Sequence, residues 1–368
     1  MTDIVPIPIV VVSGFLGSGK TTLLLRMLKH AKAEGLRASV LMNEVGSADV
    51  DGVMISSETA SAMLARVTEG CLCCTKKSEL SGCLMQLAEA QPDLILIELT
   101  GIANPEEIVE AMSEPELQDK VMLHRIVTVL DAEHAIDYNS IFATDRELVH
   151  TLRRQIEVAD VVLANKADLI SSKTAAKLDK MVRDRNGVCS LVLTVRCDVK
   201  PSLVLEGVTV RSNASGIGTH YAPPVRVNAK PAGVVRSSSP APAYSMSGTG
   251  VSSSAGSPPK SAFAKLPVIQ TQRQSYSRVK TVTIYPGTAC PVSRRTFEAF
   301  FSGRGNACLR AKGFMPFGPG GALMLFQMAG KRIEWQPTDY TGEPYFVMIG
   351  IDLDHARINN EWEKLTRH

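Results

Sequence analysis

Aromatic residues and net charge are both low in this sequence, and long apolar runs are missing. Phe, Trp and Tyr make up 5% of the 368 residues, and the formal net charge is +3. Such a chain offers neither a platform for stacking bases nor a strong electrostatic field, so we expect no nucleic-acid partner. No apolar run is long enough to cross a bilayer, and no basic segment precedes the first apolar run. The sequence therefore predicts neither a membrane span nor a signal or transit peptide.

Cysteine is scarce as well, and it is unevenly placed. Eight cysteines in 368 residues do not form the dense framework of a secreted disulfide protein, so we expect a reducing, cytoplasmic compartment. Three of them, Cys71, Cys73 and Cys74, lie in the segment GCLCCT. Neighbouring thiols cannot easily bond to each other. In a reducing compartment such a cluster predicts either a metal site or a thiol redox switch.

Acidic residues are absent from one long stretch, residues 207–297. Within it, residues 212–275 are rich in Ser, Pro, Gly and Ala, a composition that cannot bury enough apolar surface to offset chain entropy. We therefore predict a first domain over 1–205, a disordered linker over 206–277 and a second domain over 278–368.

The first domain alternates short apolar runs with amphipathic helical patterns. Its six strand candidates, such as IPIVVVSG and DLILIEL, are rich in Val, Ile and Leu without polar alternation, which is typical of strands buried on both faces. This predicts an α/β fold with a mostly parallel sheet. In the second domain, five strand candidates, a helix with Pro291 in its first turn and a C-terminal amphipathic helix predict a small α+β fold.

The segment GFLGSGKTT, residues 14–22, fits the phosphate-binding pattern G-x-x-x-x-G-K-[ST] between a buried strand and a helix. Its glycines allow backbone N–H groups to turn inward around phosphates. Lys20 can reach the β- and γ-phosphates, and Thr21 can bind Mg²⁺. The predicted phosphate-binding residues are Gly14, Gly17, Ser18, Gly19, Lys20, Thr21 and Thr22.

A second motif, LILIELTG, ends a buried strand with Glu98. A carboxylate at the C-terminal end of such a strand can hold Mg²⁺ through water, and the N–H of Gly101 can sense the γ-phosphate. We therefore assign Glu98 to the magnesium site, together with Thr21.

A third motif, NKAD at residues 165–168, follows the strand candidate DVVLA. Asp168 can accept both donors on the N1/N2 edge of guanine, whereas adenine would present an unpaired acceptor to the same carboxylate. Asn165 can support the base edge and the loop, and the Lys166 stem can lie over the ring. The motif predicts GTP rather than ATP.

The segments GFLGSGKTT, NEVG, GCLCC, IELTGIANP, NKAD and LRAKGF occur in this order and resemble the motifs of the CobW-type P-loop GTPases. The resemblance covers about 1–205 and 278–368. It implies a GTP-hydrolysing metallochaperone that uses GTP/GDP and Mg²⁺ and delivers Zn²⁺, or a similar transition metal, to a client protein. It also implies that NEVG belongs to the first switch and ELTG to the second.

Two features depart from the family. Many relatives have a histidine-rich tract between their domains, whereas His220 stands alone in this linker. Eukaryotic members carry a cysteine motif before the phosphate loop, and this chain has no cysteine before Cys71. Neither metal storage in the linker nor the aminopeptidase partner of those members therefore carries over.

The three clustered thiols provide soft ligands for Zn²⁺, and a tetrahedral site needs a fourth ligand. Glu44, which ends a strand at the nucleotide edge, is our candidate, and Cys83 and His134 are the alternatives. A labile fourth ligand would allow the metal to leave, whereas a strong one would make the site structural. The expected metal ligands are thus Cys71, Cys73, Cys74 and Glu44.

The expected chemistry is attack of water on the γ-phosphate, with Lys20 and Mg²⁺ neutralising charge. Lys20, Glu44 and Glu98 are the candidate catalytic residues, and Glu44 is a candidate to position the water. Two alternatives remain open: a metal-sensing GTPase adaptor that regulates a partner, and cobalt handling for cobalamin synthesis. The sequence identifies neither the client protein nor whether the chain forms a homo-oligomer.

Overall fold

The computed structural model describes residues 5–44, 63–68, 77–139, 146–211, 275–287, 292–304, 307–318, 321–329 and 332–366. The strands are β1 Ile7–Ser13, β2 Ala38–Glu44, β3 Met63–Thr68, β4 Leu94–Glu98, β5 Val121–Asp131, β6 Val161–Asn165, β7 Ser190–Thr194, β8 Val279–Ile284, β9 Cys308–Met315, β10 Met324–Ala329, β11 Arg332–Pro337 and β12 Tyr345–Ile351. The helices are α1 Lys20–Ala33, α2 Lys77–Glu89, α3 Glu106–Met112, α4 Ala135–Tyr138, α5 Arg146–Val158, α6 Ser172–Arg183, α7 Ser202–Leu205, α8 Arg294–Ser302 and α9 His355–Thr366. None of these helices combines the length and the apolar character that a membrane crossing needs.

The first seven strands form one parallel sheet in the order β3-β2-β4-β1-β5-β6-β7. β1 lies at its centre and all seven of its residues are buried, which explains its unbroken apolar sequence. The predicted α/β fold with a parallel sheet is confirmed. Strand β3 was not predicted, because its sequence MLARVT has an arginine in the middle and no continuous apolar run.

Strand β7 differs from the expectation of burial on both faces. It lies at an end of the described sheet and pairs only with β6 among the described strands. Leu193 on this strand is 51% exposed. An apolar run on its own cannot distinguish a central strand from an edge strand, because that depends on which strands pair with it.

The last five strands form an antiparallel sheet in the order β11-β10-β9-β12-β8. Helices α8 and α9 pack Phe297, Phe301 and Trp362 into its core, as the α+β prediction required. Helix α8 begins at Arg294, not at Pro291, because the Ser293 hydroxyl caps it by accepting the backbone N–H of Thr296. Pro291 lies outside the described residues.

The two sheets belong to one compact unit of the chain. Val279, Leu309 and Val347 of the antiparallel sheet share an apolar core with Ile108 and Met112 of α3. Charged contacts reinforce this core, because Arg310 of β9 donates to the carboxylates of two glutamates of α3, Glu107 at 2.9 Å and Glu110 at 2.8 Å. Helix α3 is therefore one of the elements through which the parallel sheet meets the second domain.

Most of the predicted linker lies outside the described residues, but its two ends are held by the carboxylates of Asp93, which is buried, and Asp160, which is partly buried. The backbone N–H of Arg211 donates to Asp93 and that of Arg278 donates to Asp160, each at 2.8 Å. Burial raises the pKa of Asp160 to about 6. Asp93 and Asp160 precede β4 and β6. Both ends of the segment are therefore attached where strands of the sheet begin, on the side opposite the C-terminal strand ends.

This anchoring leads to a prediction for the variant that lacks residues 215–272. Asp93 and Asp160 lie on strands three positions apart, about 14 Å. The residues that remain, 212–214 and 273–277, can span about 26 Å when extended. We expect GTP turnover and metal affinity within about twofold of those of the full chain, since closure entropy changes slowly with loop length. Turnover assays and chelator competition measure both, and a truncated protein that unfolds or loses nucleotide would contradict the prediction.

Candidate functional site

The loop from Gly14 to Gly19 connects the C-terminal end of β1 to the start of α1. Gly14 and Gly19 have φ of +131° and +112°, a region that disfavours side chains. A Cβ on Gly14 would lie 2.1 Å from the carbonyl oxygen of Val129, and a Cβ on Gly19 would lie 2.4 Å from Nδ2 of Asn165. Gly14 and Gly19 are thus required by both backbone conformation and close packing, whereas Gly17, with φ of +73°, is favoured by backbone conformation alone.

Polar groups suited to phosphate surround this loop. Lys20 is 6% exposed, and its ammonium donates to the carbonyl of Phe15 at 3.1 Å. The hydroxyl of Ser18 is buried and has no hydrogen-bond partner among the described residues, which is unusual for a buried polar atom. Helix α1 has no acidic residue in its first turn, so the positive end of its dipole is not offset by a side chain. These donors fit a nucleotide phosphate. Thr22 is exposed.

The two residues predicted to hold Mg²⁺ are in contact. The hydroxyl of Thr21 donates to the carboxylate of Glu98 at 2.9 Å. Glu98 is 8% exposed at the end of β4, in register with Val12 of β1. Hard oxygen atoms of this kind are the ligands that Mg²⁺ prefers. The loop after β4 also lies against the phosphate loop, because a Cβ on Gly101 would lie 2.8 Å from the backbone nitrogen of Leu16.

The NKAD segment is tied to the phosphate loop by Asn165. Its Nδ2 donates to the carbonyl of Ser18 at 2.8 Å, and its Oδ1 accepts the backbone N–H of Cys197 at 2.8 Å. Lys166 has φ of +63° and its ammonium donates to Asp131 at 2.6 Å. Burial acts to raise the pKa of Asp131, but the hydrogen bonds from Lys166, the backbone N–H of Glu133 and His134, together with the charge of Lys166, outweigh it, and the pKa lies below its usual value. Asp168 is exposed in a 3-10 turn, where it is accessible to a base.

A fourth loop at this edge, residues 196–198, was not predicted. Arg196 and Cys197 both have left-handed backbone, with φ of +51° and +52°. The Sγ of Cys197 lies 3.3 Å from the carbonyl oxygen of Gly19, beneath the phosphate loop. Arg26 of α1 secures the loop by donating to the carbonyl of Arg196 and to Asp198, each at 2.9 Å. Such strained backbone is concentrated at functional sites, but its usual sequence signal, glycine, is missing here.

The structure describes only part of the proposed metal site. Cys71, Cys73 and Cys74 lie outside the described residues, and for Glu44 only the backbone is described. Strand register nevertheless fixes the surroundings of that backbone. Glu44 pairs with Thr68 of β3, while Met42 of β2 pairs with Glu98. The C-terminal ends of β2, β3 and β4 therefore adjoin one another.

The two alternative fourth ligands lie elsewhere. Cys83 on α2 is 4% exposed and packs within the apolar core. His134 follows β5, three strand positions from β2, and groups with Asp131 and Glu133. These locations favour neither Cys83 nor His134 over Glu44.

Family models match both parts of the chain. The model described as "CobW/HypB/UreG, nucleotide-binding domain" matches residues 8–192, and "Cobalamin synthesis protein cobW C-terminal domain" matches residues 287–366. The Zn(II)-bound YjiA GTPase from Escherichia coli covers 98% of this chain and 99% of its own at 19% identity, with a TM-score of 0.43. A similarity this low supports no conclusion about function.

Curated relatives are more similar in sequence. The zinc chaperone CobW of Pseudomonas aeruginosa is 33% identical over 60% of this chain and 65% of its own length. The zinc chaperone YeiR of Escherichia coli is 30% identical over 49% of this chain and 53% of its own length. The chain thus spans less than two thirds of these relatives. Because the nucleotide-binding model covers half of the chain, and the site built from β1, β4 and β6 has the geometry described above, the chain belongs to the CobW/HypB/UreG family.

Proposed function

We propose that this protein hydrolyses GTP and uses the nucleotide state to control the transfer of Zn²⁺ to a client protein. The observation that carries the proposal is the strand register at one sheet edge. Glu44 adjoins Thr68 on one side and the strand that ends in Glu98 on the other. The nucleotide loops and the segment that leads into the cysteine cluster therefore begin side by side.

Hydrolysis depends on charge neutralisation and alignment. Lys20 neutralises the negative charge that develops on the γ-phosphate as water attacks, and Gly101 binds the same phosphate through its N–H. Thr21 and Glu98 are the residues that would hold Mg²⁺, which when bound would supply further positive charge against the phosphates. Glu44 is our candidate to position the water. The exposed Asp168 selects guanine by accepting hydrogen bonds from both donors on the N1/N2 edge of the base.

Metal binding is assigned to the three thiols with Glu44 as the fourth ligand. Cys71 follows Thr68 by three residues, which span at most about 10 Å of chain. Since Thr68 pairs with Glu44, the thiols and this carboxylate can share one ion without a long-range rearrangement. Zinc in the names of the P. aeruginosa and E. coli relatives supports Zn²⁺ as the cargo.

The proposal predicts that nucleotide changes metal affinity. If Glu44 joins or leaves the metal ligands when the first switch orders, GTP must alter the affinity for Zn²⁺, and Zn²⁺ must alter the affinity for GTP by the same factor. We expect a difference of about 5–150-fold, the usual range of such coupling. The measurement is Zn²⁺ titration against competing chelators at fixed pH, with a GTP analogue, with GDP and without nucleotide.

Two substitutions separate metal binding from coupling. Cys73→Ser should weaken Zn²⁺ in all three nucleotide states, because it removes a thiolate ligand. Glu44→Ala should mainly abolish the difference between the states. Equal Zn²⁺ affinity in all states would indicate a structural zinc site beside a GTPase and would refute the chaperone mechanism.

Parallel titration with Co²⁺ tests the cobalt alternative. Protein that purifies with oxidised thiols and no metal would instead support a redox switch.

A further inference from the structure

One buried amide side chain, outside every sequence motif, holds the loop that follows Glu98. Gln155 on α5 is 0% exposed, and its Nε2 donates to the carbonyls of Gly101 at 3.2 Å and Ala103 at 3.1 Å. Between these carbonyls lies Ile102, which is 58% exposed. A single side chain thus fixes the backbone on both sides of an otherwise exposed residue.

The same glutamine is connected to the start of the phosphate loop. Its backbone carbonyl accepts the hydroxyl of Thr128 at 2.8 Å, and the Thr128 hydroxyl is 2.9 Å from that of Ser13. Ser13 directly precedes Gly14, and both Ser13 and Thr128 are 0% exposed. A chain of buried hydrogen-bonded groups therefore links the phosphate loop to the loop after β4.

Beyond this loop, the chain is fixed by ion pairs. Arg154, the neighbour of Gln155, donates to the buried carboxylate of Glu106 at 2.8 Å, in the first turn of α3. Arg310 of the second domain holds the same helix through Glu107 and Glu110. With the end of the loop anchored in this way, Gln155 holds the path of the loop where it adjoins the phosphate loop.

We propose that Gln155 is a positioning residue for the γ-phosphate. Its amide holds the Gly101 and Ala103 carbonyls so that the Gly101 N–H is presented to the phosphate, and it acts through Gly101 without touching the nucleotide. This inference rests on the proposed GTPase function. GDP lacks the γ-phosphate, so loss of the amide should affect GTP and hydrolysis while leaving GDP binding intact.

The test uses Gln155→Met in the full chain, which keeps the volume of the side chain and removes both donors. Oε1 of Gln155 is buried and has no hydrogen-bond partner among the described residues, so the groups that lose a partner are the carbonyls of Gly101 and Ala103. We expect the turnover number and the affinity for a GTP analogue to fall about tenfold or more, from the loss of two hydrogen bonds. GDP affinity should stay within about twofold. Hydrogen exchange of residues 99–105 with GTP analogue bound should become faster.

A matched control is Asn186→Leu. Asn186 is 3% exposed, and its amide also donates to backbone carbonyls, those of Ile156 at 2.9 Å and Ala159 at 2.8 Å, at the C-terminal end of α5 and not in the loop after β4. Its loss should lower the melting temperature without changing the ratio of GTP-analogue to GDP affinity. Wild-type turnover in Gln155→Met, or the same change of that ratio in both variants, would overturn the proposal. If Lys20→Ala still abolishes turnover in that case, the nucleotide site stands and only the role of Gln155 fails.

Discussion

Lys20→Ala should reduce GTP hydrolysis by about 100-fold or more, because groups that stabilise developing negative charge contribute on this scale. Lys20 is the buried cation at the start of α1, and its ammonium already lies on the phosphate loop, at the Phe15 carbonyl. Alanine favours the helix, so the fold should persist. Phosphate release under single-turnover conditions measures the effect independently of product dissociation.

A control substitution on the same helix tests whether the effect depends on where the positive charge lies. Lys32 is exposed in the last turn of α1. Lys32→Ala should leave turnover within about twofold, since an exposed charge far from the phosphates contributes little. Equal turnover in Lys20→Ala and the wild type would mean that residues 14–22 are not the phosphate site.

Asp168→Asn should weaken GTP binding by about 100-fold, roughly 3 kcal/mol, because two hydrogen bonds to a charged acceptor are lost. Xanthine carries a carbonyl where guanine carries its 2-amino group. An asparagine amide can accept from N1–H of xanthine and donate to that carbonyl. The variant should therefore gain affinity for XTP as it loses affinity for GTP. Competition with fluorescent nucleotides measures both affinities.

The test is specific because the variant should gain affinity for XTP while it loses affinity for GTP. Asp179→Asn changes another exposed carboxylate, one that pairs with Arg183 on α6, and it should alter neither affinity. Comparable affinity of the unmodified protein for GTP and ATP, or loss of GTP without gain of XTP, would refute the assignment of NKAD to guanine.

Much of the site follows from local sequence, because each motif combines a strand end with residues whose chemistry acts over a few positions. The glycines at 14 and 19, the contact of Thr21 with Glu98 and the α/β fold agree with that analysis. The C-terminal ends of parallel strands meet at one edge. Predicting the strands therefore predicted which motifs would come together.

Other features depend on contacts between distant residues, and no local pattern encodes them. β3 is defined by its pairing with β2, which brings Thr68 beside Glu44. The left-handed backbone of Arg196 and Cys197 is held by Asn165 and Arg26, from separate parts of the chain.

Gln155 acquires a role only because α5 packs against the loop after β4, 52 to 54 residues away in sequence. Local sequence determined the chemistry of the nucleotide site and the strands that carry it. The tertiary structure decided which buried polar groups support that site, because a buried amide can bond to whichever carbonyl the packing brings within reach.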